Sequence, residues 1–209
     1  MRIKICGLTR PEDVRLACRL GADLCGFVMA PSPRQVLWDA LPDLLSAKSE
    51  EALSVAVMVD PTDEEIARAL TLVDLVQLHG KESPQQCRRF GGRVWKAFRI
   101  RQPQDLDGLD AYRDCVAGFL LDSYMEGVAG GTGRVFPWSY LEGRKLCCPT
   151  FLAGGLEPSN VAEACRVASV QGLDVSSGVE SRPGQKDQSK LEMFFRLARP
   201  GRAGDRRIV

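Results

Sequence analysis

The chain has 209 residues, 44% of them apolar, and its 28 Lys and Arg nearly cancel its 27 Asp and Glu, leaving a formal net charge of +1. That length suits one domain with a substantial core. The charge balance argues against nucleic acid or an anionic membrane as the main partner, while leaving room for a local site that takes a small anionic ligand.

Residues 1–10 carry no long apolar run, so no signal peptide is expected, and no stretch approaches the roughly 20 apolar residues of a membrane span. The eight cysteines (Cys6, Cys18, Cys25, Cys87, Cys115, Cys147, Cys148 and Cys165) include no Cys-x-x-Cys pair, which excludes a zinc ribbon or thioredoxin-like motif. A single histidine, His79, argues against a His-based metal site or a Ser-His-Asp triad. The expectation is a cytoplasmic protein with reduced, mostly buried thiols and no metal.

In chain order, short Val-, Ile-, Leu- and Phe-rich runs alternate with amphipathic stretches. Residues 2–6 read as a first strand. A helix over 11–20 follows, with Thr9 as N-cap, Pro11 near the first helical position and Gly21 as the C-terminal glycine. A strand over 24–28 and a helix over 37–47 come next. The nearly unbroken apolar run 53–59 suits a strand buried on both faces. The segment 62–72 is helical, with Ile66, Ala69, Leu70 and Val73 on one face.

Strand 75–78, helix 83–90, strand 94–100 and a weaker helix over 103–112 continue the alternation. After strand 118–121, a Gly-rich loop over 122–134 leads to a short helix near 137–141. Strand 150–152, helix 160–167, strand 172–175 and helix 188–197 complete it. Eight strands and about eight helices, at about 26 residues per unit, predict a single (β/α)8 TIM barrel over residues 1–198. An open doubly wound sheet is the alternative, and eight regular units fit it less well. Residues 199–209, with four arginines, two glycines and a proline, predict a basic, flexible tail.

Barrel enzymes place their chemistry at the C-terminal ends of the strands. Cys6 stands at such an end, either as an inert buried thiol or as a group facing the site. Asp122 is a turn-former or a proton donor, and Arg34 a surface residue or a bidentate carboxylate ligand. His79 reads first as a structural strand-end residue. Gly154-Gly155 and Ser177-Gly178 follow the last two strands, where loops often cradle phosphate on backbone N–H groups. The cluster Gly130-Gly131-Thr132-Gly133-Arg134 is neither a Walker A loop nor a Rossmann fingerprint. It reads as a mobile cover for the site or as a plain connection.

Seven segments together resemble phosphoribosylanthranilate isomerase. They are Lys4-Ile5-Cys6-Gly7-Leu8-Thr9, Ser32-Pro33-Arg34, Val76-Gln77-Leu78-His79-Gly80, Leu120-Leu121-Asp122, Gly130-Gly131-Thr132-Gly133, Leu152-Ala153-Gly154-Gly155-Leu156, and Asp174-Val175-Ser176-Ser177-Gly178-Val179-Glu180, the last followed by Pro183-Gly184-Gln185-Lys186-Asp187. They fall in family order over about residues 2–195. The resemblance implies an Amadori rearrangement of N-(5'-phosphoribosyl)anthranilate in tryptophan biosynthesis, without a cofactor. It implies Cys6 as base, Asp122 as acid, and Arg34 as holder of the anthranilate carboxylate. Gly154, Gly155, Ser177 and Gly178 would form the phosphate cradle. One departure is Pro137, before Trp138, where an acidic residue is common in the family. A histidine-pathway sugar-phosphate isomerase, which uses two aspartates, and a non-catalytic phosphate-binding barrel are the rival readings. Cys6 in the position of the base disfavours the first, and an acid and a base present together disfavour the second.

Overall fold

The computed structural model describes residues 1–123, 136–167 and 169–200. Its strands are β1 (Arg2–Ile5), β2 (Leu24–Val28), β3 (Leu53–Met58), β4 (Leu75–Leu78), β5 (Val94–Ile100), β6 (Gly118–Ser123), β7 (Thr150–Leu152) and β8 (Gly172–Val175). These eight strands pair in parallel in chain order, and β8 returns to β1 to close a barrel. The expected (β/α)8 architecture is therefore observed. The closing seam carries four register pairs, from Arg2↔Gly172 to Ile5↔Val175.

Strand alternation divides the side chains between two cores. Ile3, Ile5, Phe27, Met58, Leu78, Phe119 and Leu121 are buried in the large shell between strands and helices. Inside the barrel, Leu24, Val55, Trp95 and Phe151 form a separate buried layer, with the Trp95 and Phe151 rings edge to face at 4.8 Å. Ala97, Leu120 and Ala153, each two residues or more further along its strand, form a second cluster. The Phe151 ring fills the space beside Gly172, where a Cβ would stand 2.4 Å from its nearest ring atoms.

The helices are α1 (Pro11–Leu20), α2 (Leu41–Ser46), α3 (Asp63–Leu70), α4 (Pro84–Phe90), α5 (Val161–Ala164) and α6 (Gln188–Ala198). Gly21 closes α1 in the left-handed region at φ 92°, as expected. Thr9 does not cap it. Arg10 occupies the N-cap without a side-chain bond, and the Thr9 hydroxyl donates instead to the Gly184 carbonyl. Thr62 caps α3 through a reciprocal box with Glu65.

Other expectations needed correction. The helix expected over 37–47 is only Leu41–Ser46. Pro42 stands in its first turn, where a missing N–H costs little, and residues 38–40 ahead of it form a turn in which Ala40 N–H donates to the Leu37 carbonyl. The helix expected over 103–112 is two 3-10 turns, Pro103–Leu106 and Leu109–Tyr112. Gly108 lies between them, where helix propagation is weak, and each turn still buries one leucine. The helix expected over 160–167 is the single turn α5, and 137–141 is the 3-10 turn Trp138–Leu141. Strand β6 extends past Leu121 to Ser123, so Asp122 belongs to the strand rather than to a loop.

A feature not foreseen is an antiparallel hairpin, β9 (Glu180–Arg182) and β10 (Gln185–Lys186), between β8 and α6. Arg199, the first residue of the expected tail, donates to the carbonyls of Met1 and Gly21 and pairs with Asp23. The rest of that tail from residue 201, and the glycine cluster 130–134, lie outside the described residues.

Gly172→Ala is expected to force the Phe151 ring aside. Overpacking of this kind costs about 1–3 kcal/mol. For a chain of this size that lowers Tm by about 2–4 °C per kcal/mol, readable by calorimetry.

Candidate active site

The described residues named as candidates at the strand ends lie at the C-terminal mouth of the barrel. Cys6 follows β1, His79 follows β4, Asp122 is the penultimate residue of β6, Gly154 and Gly155 follow β7, and Ser177 and Gly178 follow β8. Arg34 sits in the loop after β2. That loop is drawn back to the strand by Val36 N–H donating to the Val28 carbonyl at 2.7 Å.

Cys6 is 8% exposed, and its N–H donates to the Val175 carbonyl across the closing seam. Beneath it Lys4 is buried inside the barrel, its Nζ donating to both carboxylate oxygens of Asp174 at 3.0 and 3.1 Å. Gly26 makes room for both neighbours: a Cβ there would lie 3.0 Å from Cys6 Sγ and from Lys4 Cε. Burial pulls the Lys4 ammonium toward the neutral form, but the charges of Asp174 and Cys6 and their hydrogen bonds together outweigh it and hold the group above the ordinary lysine range. Burial also pushes the Cys6 thiol above the ordinary cysteine range, and Lys4 and Lys186 oppose that push without cancelling it.

Asp122 Oδ2 lies 3.3 Å from His79 Nε2. His79 Nε2 nonetheless makes no hydrogen bond among the described residues, so the contact is one of proximity only. Gly154, at φ 79°, backs against Asp122. A Cβ there would stand 2.5 Å from Asp122 Oδ1 and 2.3 Å from Ser123 N. The two glycine loops also meet: a Cβ on Gly178 would fall 1.9 Å from the Leu156 carbonyl oxygen. Neither Gly154 nor Gly155 donates a backbone hydrogen bond among the described residues, which leaves two N–H groups at the mouth for an anion.

Arg34 is held by Glu180, with Nε 2.9 Å from Oε1 and Nη2 2.7 Å from Oε2. Lys186 Nζ adds a bond to Glu180 Oε1 at 2.8 Å. Burial works against the charge on Glu180, but Arg34 and Lys186 outweigh it and keep the carboxyl below the usual glutamate range. Among the described residues, no group of three or more His, Cys, Asp or Glu is arranged to hold a metal ion. No helix among them is long and apolar enough to cross a membrane.

The chain matches the model of the N-(5'-phosphoribosyl)anthranilate (PRA) isomerase family over residues 3–196. It belongs to that family. With membership goes an isomerase of tryptophan biosynthesis, as the seven motifs implied. The N-(5'-phosphoribosyl)anthranilate isomerase of Chromohalobacter salexigens is 43% identical over 195 residues, spanning 93% of this chain and 92% of that one. The phosphoribosylanthranilate isomerase of Thermotoga maritima superposes with a TM-score of 0.88 at 32% identity, covering 96% of this chain and 99% of its own. Another solved isomerase of the family, in complex with reduced 1-(o-carboxyphenylamino)-1-deoxyribulose 5-phosphate, gives a TM-score of 0.82 at 32% identity with the same coverage.

Four charged residues at the mouth of this isomerase escaped the reading of the sequence: Lys4, Asp174, Glu180 and Lys186. A signal for the first two was present. A charge at an inward position of a strand that is otherwise apolar demands a partner, and Lys4 and Asp174 stand on the first and last strands, which a barrel makes neighbours.

Lys4→Met is expected to leave Asp174 buried without its cation. Breaking a buried pair from one side costs about 3–5 kcal/mol. Lys4→Met combined with Asp174→Asn should recover most of the loss. Urea unfolding of the single and double variants checks this, and equal stability of the two would contradict it.

Proposed function

We propose that the mouth isomerises N-(5'-phosphoribosyl)anthranilate by general acid–base catalysis, with Cys6 as the base and Asp122 as the acid. One observation carries the reading: a thiol after β1 and a carboxyl on β6 face one mouth that also presents the free N–H groups of Gly154 and Gly155. The catalytic unit is proposed to span residues 1–198, to act in the cytoplasm, and to take this phosphorylated small molecule as its partner.

Asp122 gives a proton to the ribose ring oxygen as the bond from C1 to that oxygen breaks, and the lone pair of the anthranilate nitrogen forms the C=N bond of a protonated Schiff base. Cys6, as thiolate, takes the proton from C2. The C–H electrons become the C1=C2 bond, and the iminium π electrons return to nitrogen. The resulting enolamine moves its hydroxyl proton to C1 and becomes the ketone. The substrate nitrogen supplies the electron push, so the steps use only groups of the chain and the substrate. Arg34 pairs with the anthranilate carboxylate. The phosphate lies on the backbone near Gly154, Gly155, Ser177 and Gly178, as the glycine loops suit. Reduced 1-(o-carboxyphenylamino)-1-deoxyribulose 5-phosphate, bound by the solved relative, supports a phosphorylated open-chain ligand for this mouth.

Cys6→Ala is expected to lower kcat by roughly 10²–10⁴-fold and Asp122→Asn by roughly 10²-fold or more. KM should change little in either variant when loss of substrate fluorescence is followed. Near-normal kcat in Cys6→Ala or Asp122→Asn removes that residue from its role.

A pH effect follows from the buried thiol. Because the Cys6 thiol sits above the ordinary cysteine value of about 8.5, the thiolate is the minor form at neutral pH. Since the base acts deprotonated and the acid protonated, the thiolate is read free of the acid in Asp122→Asn, where the residual kcat/KM is expected to rise with pH from neutrality to about pH 9. A profile flat over that range would contradict the thiolate as base.

A further inference from the structure

A guanidinium has five N–H groups and two bidentate edges, one formed by Nε and Nη2 and one by Nη1 and Nη2. In Arg34 the first edge is occupied. Nε donates to Glu180 Oε1 at 2.9 Å and Oε2 at 3.1 Å, and Nη2 donates to Oε2 at 2.7 Å. Arg34 Nη1 makes no hydrogen bond among the described residues, and Nη2 retains a second proton. The free edge is therefore the end-on fork, which matches a planar carboxylate.

Four further contacts fix that arrangement. The Arg34 stem lies against Gly7, where a Cβ would fall 2.6 Å from Cδ and 2.9 Å from Ser176 Oγ. Glu180 is 4% exposed, and Lys186 Nζ binds both Glu180 Oε1 at 2.8 Å and the Ser176 carbonyl at 3.1 Å. Lys190 Nζ donates to the Glu180 carbonyl at 2.8 Å. Glu180 is thus held by its side chain from Lys186 of the hairpin and by its backbone carbonyl from Lys190 of α6. Lys186 adds a second donor to the carboxylate that Arg34 holds, while burial pulls its own ammonium toward the neutral form.

We propose that Glu180 is a positioning residue for substrate specificity. It takes the side-on edge of Arg34 and turns the end-on edge toward the ring carboxylate, so that a 2-carboxyphenylamine is selected over a phenylamine without the carboxylate. This rests on the reading of Arg34 as the carboxylate ligand.

The experiment measures KM and kcat for two substrates, N-(5'-phosphoribosyl)anthranilate and the phosphoribosylated phenylamine that lacks the ring carboxylate, in wild type, Glu180→Gln and Arg34→Met. Glu180→Gln is expected to raise KM for the carboxylated substrate roughly tenfold, the scale of a charged hydrogen bond, with kcat within about twofold. KM for the phenylamine should not move. Arg34→Met should likewise act on the carboxylated substrate alone.

An equal weakening of both substrates by Glu180→Gln makes its role structural and overturns the proposal. So does an unchanged KM for the carboxylated substrate while Arg34→Met still raises it. If Arg34→Met itself leaves discrimination intact, the reading of Arg34 falls first. Should Glu180→Gln fail to fold with Lys186 left unpaired, the charge-neutral pair Glu180→Gln with Lys186→Gln is measured instead. Loss of discrimination there supports the proposal, and wild-type discrimination overturns it.

Discussion

The ion pair between Lys4 and Asp174 holds the key position in this barrel. The two residues are register partners across the seam where β1 meets β8, and both side chains are buried. Removing two charges from water carries a penalty of several kcal/mol per ion, which their attraction offsets only when the geometry is good. A net stabilising role is therefore not what the pair is suited for. Its consequence is register. A slip of one residue along the seam would turn Lys4 outward into the apolar shell of Ile3, Ile5 and Val175 and leave Asp174 alone inside. Closure, register and the placing of a cation beneath Cys6 are one event.

From that pair the charges at the mouth alternate upward. Lys4 is balanced by Asp174, and Arg34 with Lys186 by Glu180. A chain with a net charge of +1 thus concentrates three buried or half-buried cations around one thiol. The near-neutral composition turned attention away from nucleic acid, and for the same reason it hid the local field. A second buried pair, Lys96 with Glu82 at 3.0 Å, works outside the barrel. Glu82 also accepts from the N–H groups of Asp60 and Gly80, so a single carboxylate ties the ends of β3, β4 and β5. The mouth is stiffened on both sides of the strand wall by carboxylates that each serve several donors.

The strands were legible because burial on both faces leaves an apolar run that survives without context. Helices were less legible where a helix is short and held by packing. The segment 103–112 has helical spacing, but Gly108 interrupts it, and two 3-10 turns bury Leu106 and Leu109 just as well. The hairpin of β9 and β10 carried a local signal that went unused. Pro183-Gly184 suits a turn whose third residue needs positive φ, and Gly184 sits at φ 79°. The positions of Cys6, Arg34 and Asp122 at strand ends and the loop after β2 were legible. Glu180 was not, since its meaning lies in a contact with Arg34, 146 residues away.

Space explains why the side chains at the mouth point where they do. Gly7 yields the volume that the Arg34 stem fills, Gly26 that of Lys4 and Cys6, and Gly154 that of Asp122. In each case a methyl group on the glycine would stand within about 3 Å of the functional side chain, closer than packed carbon atoms tolerate. The glycine after β7 therefore has a double consequence. Its own N–H and that of Gly155 donate no backbone hydrogen bond among the described residues, and its missing Cβ lets the carboxyl of Asp122 lie directly against the turn. In this fold the place of Asp122 against that turn is set by backbone contact between β6 and the end of β7 rather than by side chains free to move.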